Sequence, residues 1–223
     1  LPEAPCTVLT WIDGSVYSQE DERAEALTYR LGALDAVLHA HAQSWAHPEP
    51  FVRLSYDAAL LQGALPGLEE GVQLGILAPP DVSLVCEACA YILELLGTIE
   101  RTRDSWGLIH ADLLSGNVLV QGETLIPIDF SLSGFGPYEL DMALCIGSLK
   151  KPLRQRYLEG YGRPLTGEQR HRIEAFLIMM VAVSCTKQYD NEIWQSWFQR
   201  RFPLIAQRYC PPLIRKEPFL FEI

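Results

Sequence analysis

The sequence predicts a mainly α protein with one small β-hairpin, an α+β chain, and three observations support this fold class. Leucines recur at helical spacing in residues 27–38 and give the first long helix one buried stripe. A second apolar stripe of the same period occupies residues 85–99. Residues 107–131 show no helical period, and their two short apolar runs, joined by Gln121 and Gly122, predict the hairpin.

The elements before the hairpin are predicted to be two helices separated by a loop. Ser18 follows an early turn and is expected to cap a first helix that runs towards His41. Residues 46–57 are rich in proline and aromatic residues and are expected to form a loop. A second helix is expected to start near Asp81 or Ser83, where the next apolar stripe begins.

Three further helices are predicted after the hairpin. The first occupies residues 139–149. Thr166 and Gln169 have the spacing of a capping box, which predicts the start of another helix that runs to about residue 187. Residues 191–201 have the pattern of an amphipathic helix.

Length and composition limit the classes of function. The 223 residues can bury one sizeable core, and 48% of them are hydrophobic, as in a globular protein. A formal net charge of −10 disfavours a nucleic-acid partner or an anionic membrane surface, because phosphate groups call for basic patches. No apolar run reaches the roughly 20 residues of a membrane span, and no signal peptide is visible. We therefore expect a cytoplasmic protein without a membrane partner.

The polar residues around the hairpin have the pattern that phosphoryl transfer requires. Asp112, in the loop before the first strand, is placed to accept the proton of a hydroxyl group and to orient its oxygen. Asn117 and Asp129 offer hard oxygen ligands of the kind that Mg²⁺ prefers. Because a hairpin returns the chain to its starting point, Asp129 is expected to lie beside Asn117.

The same stretch permits a second chemistry, that of a metal-dependent hydrolase. In that case His110, Asp112 and Asp129 would be the metal ligands. No further histidine clearly completes such a ligand set, which disfavours this alternative. The other histidines near the start of the chain are expected to be helix-end and loop residues and not metal ligands; they are His39, His41 and His47.

The order of these residues resembles the aminoglycoside phosphotransferase and choline kinase family, whose fold is protein-kinase-like. The resemblance rests on HADLLSGNVLV, then IDF, then GFGPYELDMA, and it extends over roughly residues 8–147. Leu114 stands where protein kinases usually have a Lys, so the segment is more similar to the small-molecule kinases. Ser131 replaces the glycine of D-F-G, as this family allows.

The resemblance implies a nucleotide site and two supporting residues. Residues 8–14, VLTWIDG, would be the hinge that pairs with the adenine of ATP. The hinge residues expected to bind this cofactor are Leu9, Thr10 and Trp11. His110 and Asp141 would support the loop structurally, and Mg²⁺ would be the second cofactor.

The resemblance covers only the C-terminal lobe of this fold. The family places a β-rich lobe before the hinge, but only residues 1–7 precede it here, so this lobe is expected to be absent. The expected domains are a hinge-like segment, residues 1–14, and a helical kinase-like C-terminal lobe, residues 15–223.

The resemblance also implies a function. It is ATP-dependent transfer of the γ-phosphate to a small-molecule hydroxyl acceptor, with little or no activity in this chain alone. A cationic acceptor suits the acidic chain, but sugar or homoserine-like acceptors stay open. A pseudokinase-like binding module without catalysis is the alternative, and binding of Mg-ATP would distinguish the two.

Overall fold

The computed structural model describes residues 10–185 and 188–221. This part of the chain contains eight α-helices and two three-stranded sheets. The helices are α1 (Ala24–Ser44), α2 (Ala58–Gln73), α3 (Pro79–Gly97), α4 (Tyr138–Ser148), α5 (Lys151–Tyr161), α6 (Gly167–Cys185), α7 (Glu192–Arg208) and α8 (Cys210–Ile214). The strands are β1 (Ser15–Val16), β2 (Leu54–Ser55), β3 (Trp106–Ile109), β4 (Val118–Gln121), β5 (Thr124–Pro127) and β6 (Gly134–Pro137). The mainly α prediction with a small β part is confirmed.

The two sheets fix both ends of the segment between β3 and β4. One sheet has the order β1-β4-β5, in which β4 and β5 form the predicted antiparallel hairpin. Gly122 lies in its turn with a φ of 61°, a conformation that favours glycine. The other sheet has the order β2-β6-β3, with β3 antiparallel to β6. The loop between β3 and β4 is therefore anchored by one sheet on each side.

The helical core is organised around α6, which packs against α2, α3 and α4. Apolar residues cover most of the circumference of α6 and ten of its residues are buried, as expected of a central helix. Its capping box is present, because Thr166 Oγ1 accepts from the Gln169 amide at 3.1 Å and Gln169 Oε1 accepts from the Thr166 amide at 3.0 Å. The predicted start of this helix is confirmed.

The first helix begins five residues later than predicted, at Ala24 instead of directly after Ser18. Ser18 Oγ accepts from the Glu20 amide at 3.2 Å, and the Ser18 carbonyl accepts from the Asp21 amide. Ser18 thus closes a turn instead of capping a helix. The preceding Tyr17 amide donates to the Val118 carbonyl at 2.8 Å, which holds this end of the chain on the hairpin.

Three helices were not predicted, the short α8 and the two longer helices α2 and α5. The helix α2 contains Gly63 and Pro66, which usually disfavour a helix interior, yet its buried residues and the Asp57 side-chain cap at its start stabilise it. The helix α5 is mostly polar and buries Leu153, Tyr157 and Tyr161. Tertiary packing outweighs local propensity in both cases.

Two further predictions concern the helix starts and the domain boundary. The second predicted helix, α3, begins at Pro79, two residues before Asp81. The division of the chain at residue 14 stays a prediction.

In the part of the chain that the structure describes, no helix is both long and apolar enough to cross a bilayer.

The close packing of α1 against α5 depends on glycine. A Cβ atom on Gly32 of α1 would overlap the carbonyl oxygen of Tyr157, and one on Gly160 of α5 would overlap the carbonyl oxygen of Tyr29. Both obstacles are backbone atoms and cannot rotate away. The two helices therefore approach closely because neither has a side chain at the crossing.

We predict that Gly32→Ala lowers the free energy of unfolding by about 1–3 kcal/mol, because overpacking outweighs the better helix propensity of alanine. Gly63→Ala is the matched control, since nothing lies within 4 Å of a Cβ atom at this position of α2. The control should gain about 0.5–1 kcal/mol. Urea denaturation measures both, and equal effects of the two substitutions would contradict the packing argument.

Candidate active site

The loop after β3 is held by one carboxylate from the first turn of α4. Asp141 is fully buried and accepts from the backbone amide of His110 at 2.7 Å and from that of Ala111 at 2.5 Å, one on each carboxylate oxygen. Ala111 has a φ of 60°, which costs a residue with a Cβ atom roughly 1–2 kcal/mol. The Asp141 carboxylate thus stabilises a strained backbone immediately before Asp112.

Asp112 is half-buried and is bound by Asn117. The Asn117 Nδ2 atom donates to Asp112 Oδ2 at 2.6 Å and to the Asp112 carbonyl at 2.9 Å. Both partners are acceptors, so the nitrogen of the amide must face Asp112. The Asn117 Oδ1 atom consequently points away from this contact and is left to bind another group.

The pKa of Asp112 is raised, chiefly because burial disfavours the charged form. The hydrogen bond from Asn117 and the charge of His110 act in the opposite direction, whereas the carboxylates of Asp129 and Asp141 add to the increase. A carboxylate with a raised pKa is a better proton acceptor than an exposed one.

The hairpin returns the chain to Asn117, as the sequence predicts. The Ile128 amide donates to the Asn117 carbonyl at 2.9 Å, and Val118 pairs with Pro127. Asp129 follows at the end of this ladder in a left-handed conformation, with φ 60° and ψ 69°. Hydrogen bonds from Ser131 lower the pKa of the exposed Asp129 carboxyl, and the side-chain hydrogen bond contributes more than the backbone one. This carboxylate is therefore ionised and open to solvent.

His110 is buried and faces the strand that leads to Asp129. Its Nε2 atom lies 3.1 Å from the Ile128 carbonyl, so this nitrogen carries a proton, and its ring centroid is 4.5 Å from that of Phe130. The imidazole thus joins the loop before Asp112 to the end of β5.

This geometry does not support a hydrolase centre. Among the described residues, one group of three His, Cys or carboxylate side chains lies close enough together to hold an ion. It consists of Asp35, His39 and Asp141. The hydrolase alternative needed His110, Asp112 and Asp129 as a set. Those three residues do not form one.

Only part of the predicted hinge can be located. Leu9 lies outside the described residues. Thr10 and Trp11 precede β1 and are exposed, and Trp11 Nε1 donates to Asp13 Oδ1 at 3.0 Å. The Gln121 side chain donates to the Asp13 carbonyl at 2.9 Å, which ties this segment to the hairpin. Adenine binding by the three residues stays a prediction.

A buried polar cluster beneath the loop was not predicted. His39 is 2% exposed, so the expectation that it is a helix-end residue is wrong. Its Nε2 atom lies 3.3 Å from Asp141 Oδ2 and 3.2 Å from Asp35 Oδ1, and its Nδ1 atom lies 2.8 Å from the Tyr161 hydroxyl. The Tyr157 hydroxyl donates to the other oxygen of Asp35.

The electrostatics of this cluster favour a charged imidazole. Burial alone would lower the pKa of His39, but the Asp35 and Asp141 carboxylates together outweigh it and raise that pKa. Burial also raises the pKa of Asp35. A sequence signal for the cluster existed, because Asp35 and His39 continue the four-residue spacing of Leu27 and Leu31 on the buried face of α1.

A helical lobe that presents a loop carboxylate, an amide and a second carboxylate around a short hairpin has the architecture of a phosphotransferase. The chain belongs to the phosphotransferase enzyme family, whose model matches residues 2–176.

Curated relatives match parts of the chain. It is 31% identical over 98 residues to a probable bifunctional tRNA threonylcarbamoyladenosine biosynthesis protein of Methanothermobacter thermautotrophicus, covering 39% of this chain and 18% of the relative. It is 25% identical over 128 residues to the amicoumacin kinase of Bacillus subtilis, covering 57% of this chain and 35% of the relative. The chain thus spans a small part of the length of these relatives.

Solved structures support the fold over most of the chain. A microcompartment-associated aminopropanol kinase superposes with a TM-score of 0.66 at 23% identity, over 88% of this chain and 65% of the other. An amicoumacin kinase in complex with AMP-PNP and Ca²⁺ superposes with a TM-score of 0.64 at 18% identity, over 91% and 62%. At this level of identity the likeness shows a shared kinase-like fold.

We predict that Asp141→Asn lowers the free energy of unfolding by about 2–4 kcal/mol, since an amide offers one acceptor oxygen where two backbone amides need two. Asp104→Asn, at an exposed position before β3, is the control and should stay within about 0.5 kcal/mol of the parent. Chemical denaturation provides the comparison. An Asp141→Asn variant as stable as the control would show that the carboxylate does not hold the loop.

Proposed function

We propose that this chain provides the catalytic lobe for ATP-dependent transfer of a γ-phosphate to the hydroxyl group of a small molecule. The observation that carries the proposal is the contact of Asn117 Nδ2 with Asp112, which orients a half-buried carboxylate and leaves the amide oxygen on the other side. Membership of the phosphotransferase family supports it, as does the kinase-like fold.

Asp112 is the general base in this proposal. It would accept the hydroxyl proton of the acceptor and align the acceptor oxygen with the γ-phosphate. The loop geometry suits this role, because Asp141 fixes the two preceding amides and Asn117 fixes the carboxylate itself. Phosphoryl transfer depends largely on such positioning.

Asn117 and Asp129 would hold Mg²⁺ together with phosphate oxygens. The donor set fits this ion, since the amide oxygen of Asn117, on the side opposite the Asp112 contact, and the exposed ionised carboxylate of Asp129 are hard oxygen ligands. The ion would neutralise charge on the β- and γ-phosphates. The two acidic side chains would then have different functions: Asp112 would accept the proton, and Asp129 would hold the metal ion.

The nucleotide and the acceptor complete the proposal. The backbone of Leu9, Thr10 and Trp11 would pair with adenine, beside the hairpin edge to which Asp13 is bound. The net charge of −10 favours an acceptor that carries a positive charge beside its hydroxyl group. Aminopropanol, the substrate class named for one similar structure, has this chemistry.

We predict that Asp112→Ala lowers turnover by roughly 10²- to 10⁴-fold in any form of the protein that transfers phosphate, with nucleotide affinity nearly unchanged. Steady-state kinetics and calorimetric titration with Mg-ATP measure the two quantities, and Asp104→Ala is the control. A variant that keeps the turnover of the parent would remove Asp112 from the mechanism. A parent that binds Mg-ATP without transfer to any acceptor would favour the binding-module alternative.

We predict that Asp129→Asn weakens the affinity for Mg-nucleotide at least about tenfold, because it removes the charge that attracts the ion. Asparagine tolerates the left-handed backbone at this position, so the hairpin end should keep its conformation. Titrations with and without Mg²⁺ separate metal-dependent from metal-independent binding. Equal Mg-dependent affinities of variant and parent would assign the metal to other residues.

A further inference from the structure

The buried cluster behind the catalytic loop contains a third donor to Asp141. The carboxylates of Asp35 and Asp141 accept hydrogen bonds and do not donate them when ionised, so the His39 Nε2 atom that lies between them carries a proton. The candidate ion ligands of this cluster lie within 4.8 Å of one another, and all three residues are buried. The Nε2–H group of the imidazole therefore lies between two carboxylates inside the core.

The partners of His39 fix the direction of that proton. The Tyr161 hydroxyl of α5 meets the Nδ1 atom at 2.8 Å, and the ring centroid of Tyr138 lies 4.7 Å from that of His39. Asp35 is held from its far side by the Tyr157 hydroxyl, also of α5. The ring is therefore clamped between α1, α4 and α5 with Nε2 directed at Asp141.

We propose that His39 is a positioning residue for phosphoryl transfer and that Asp35 is its support. The proposal rests on the proposed function, because it names the residue that keeps the catalytic loop in its active conformation. His39 does not touch the reacting atoms. It acts through Asp141, which holds the amides of His110 and Ala111.

Removal of the proton donor would act on Asp112 through electrostatics. Two buried carboxylates this close together cannot both stay ionised without a hydrogen-bond donor between them, so in its absence one of them would take up a proton. A protonated or displaced Asp141 has fewer acceptor sites for the two loop amides. The strained φ of 60° at Ala111 would then relax, and the backbone of Asp112 would move with it.

Two substitutions by amide side chains test these contacts. In His39→Gln the side-chain amide nitrogen can take the place of Nε2 and donate to Asp141. In His39→Asn the shorter side chain reaches the position of Nδ1 and leaves Asp141 without its third donor. His41→Asn is the matched control, because His41 lies two residues further along α1 and is exposed.

The first measurement is hydrogen exchange of the Ala111 amide, which requires no catalytic activity. We expect exchange to be about 10- to 100-fold faster in His39→Asn than in the parent, and within about threefold of the parent in His39→Gln and His41→Asn. Adding Asp35→Asn to His39→Asn should recover most of the protection, since it removes the second carboxylate. Unchanged exchange in His39→Asn, or no recovery in the double variant, would overturn the proposal.

The second measurement is the kinetics of phosphate transfer. We expect His39→Asn to lower kcat by about 10- to 100-fold with little change in KM for ATP, and His39→Gln to restore most of the loss. Faster exchange with an unchanged kcat would also overturn the positioning role. If no form of the parent protein transfers phosphate, the proposed function is refuted instead, and in that case the exchange data alone decide whether His39 holds the loop.

Discussion

The rest of the site depends on the two hydrogen bonds that one buried carboxylate accepts from backbone amides. Asp141 accepts from His110 and Ala111 with its two oxygens and so fixes a loop that contains a residue in a left-handed conformation. Without such a restraint the backbone before Asp112 would relax to a commoner conformation. The first turn of α4 therefore sets the direction of a side chain that is 29 residues earlier in the sequence.

The helices around this carboxylate make it possible to bury a charge. Glycines at the crossing of α1 and α5 bring Tyr157 and Tyr161 close to Asp35 and His39. Tyr157 then donates to Asp35, and the imidazole of His39 lies between two carboxylates. Packing and electrostatics are thus coupled, because the same close helix approach that fills the core also completes the cluster.

The sequence predicted the local part of this arrangement well. Asn117 follows Asp112 by five residues, and two four-residue strands return Asp129 to the same edge, so short-range geometry was enough to group them. The structure brings Asn117 to Asp112 and the end of β5 to Asn117, whereas their chemical roles stay proposals. The hairpin and the capping box are likewise local patterns.

The parts that were not predicted depend on contacts distant in sequence. Nothing near His39 indicates that Asp141 lies against it, since the two are 102 residues apart. The helix α2 forms despite Gly63 and Pro66 because its apolar face packs on α3 and α6. The polar α5 forms because α1 covers it. Local propensity cannot anticipate such stabilisation.

The most direct test of the central claim is where a divalent ion binds when nucleotide is present. Mn²⁺ added with ADP should broaden the NMR signals of the Asn117 side-chain amide and of the Ser131 backbone amide, which flank the proposed ligands, and should do so less in Asp129→Asn. Broadening centred instead on His39 and its neighbours in the core, or no nucleotide-dependent broadening near the hairpin, would contradict the account.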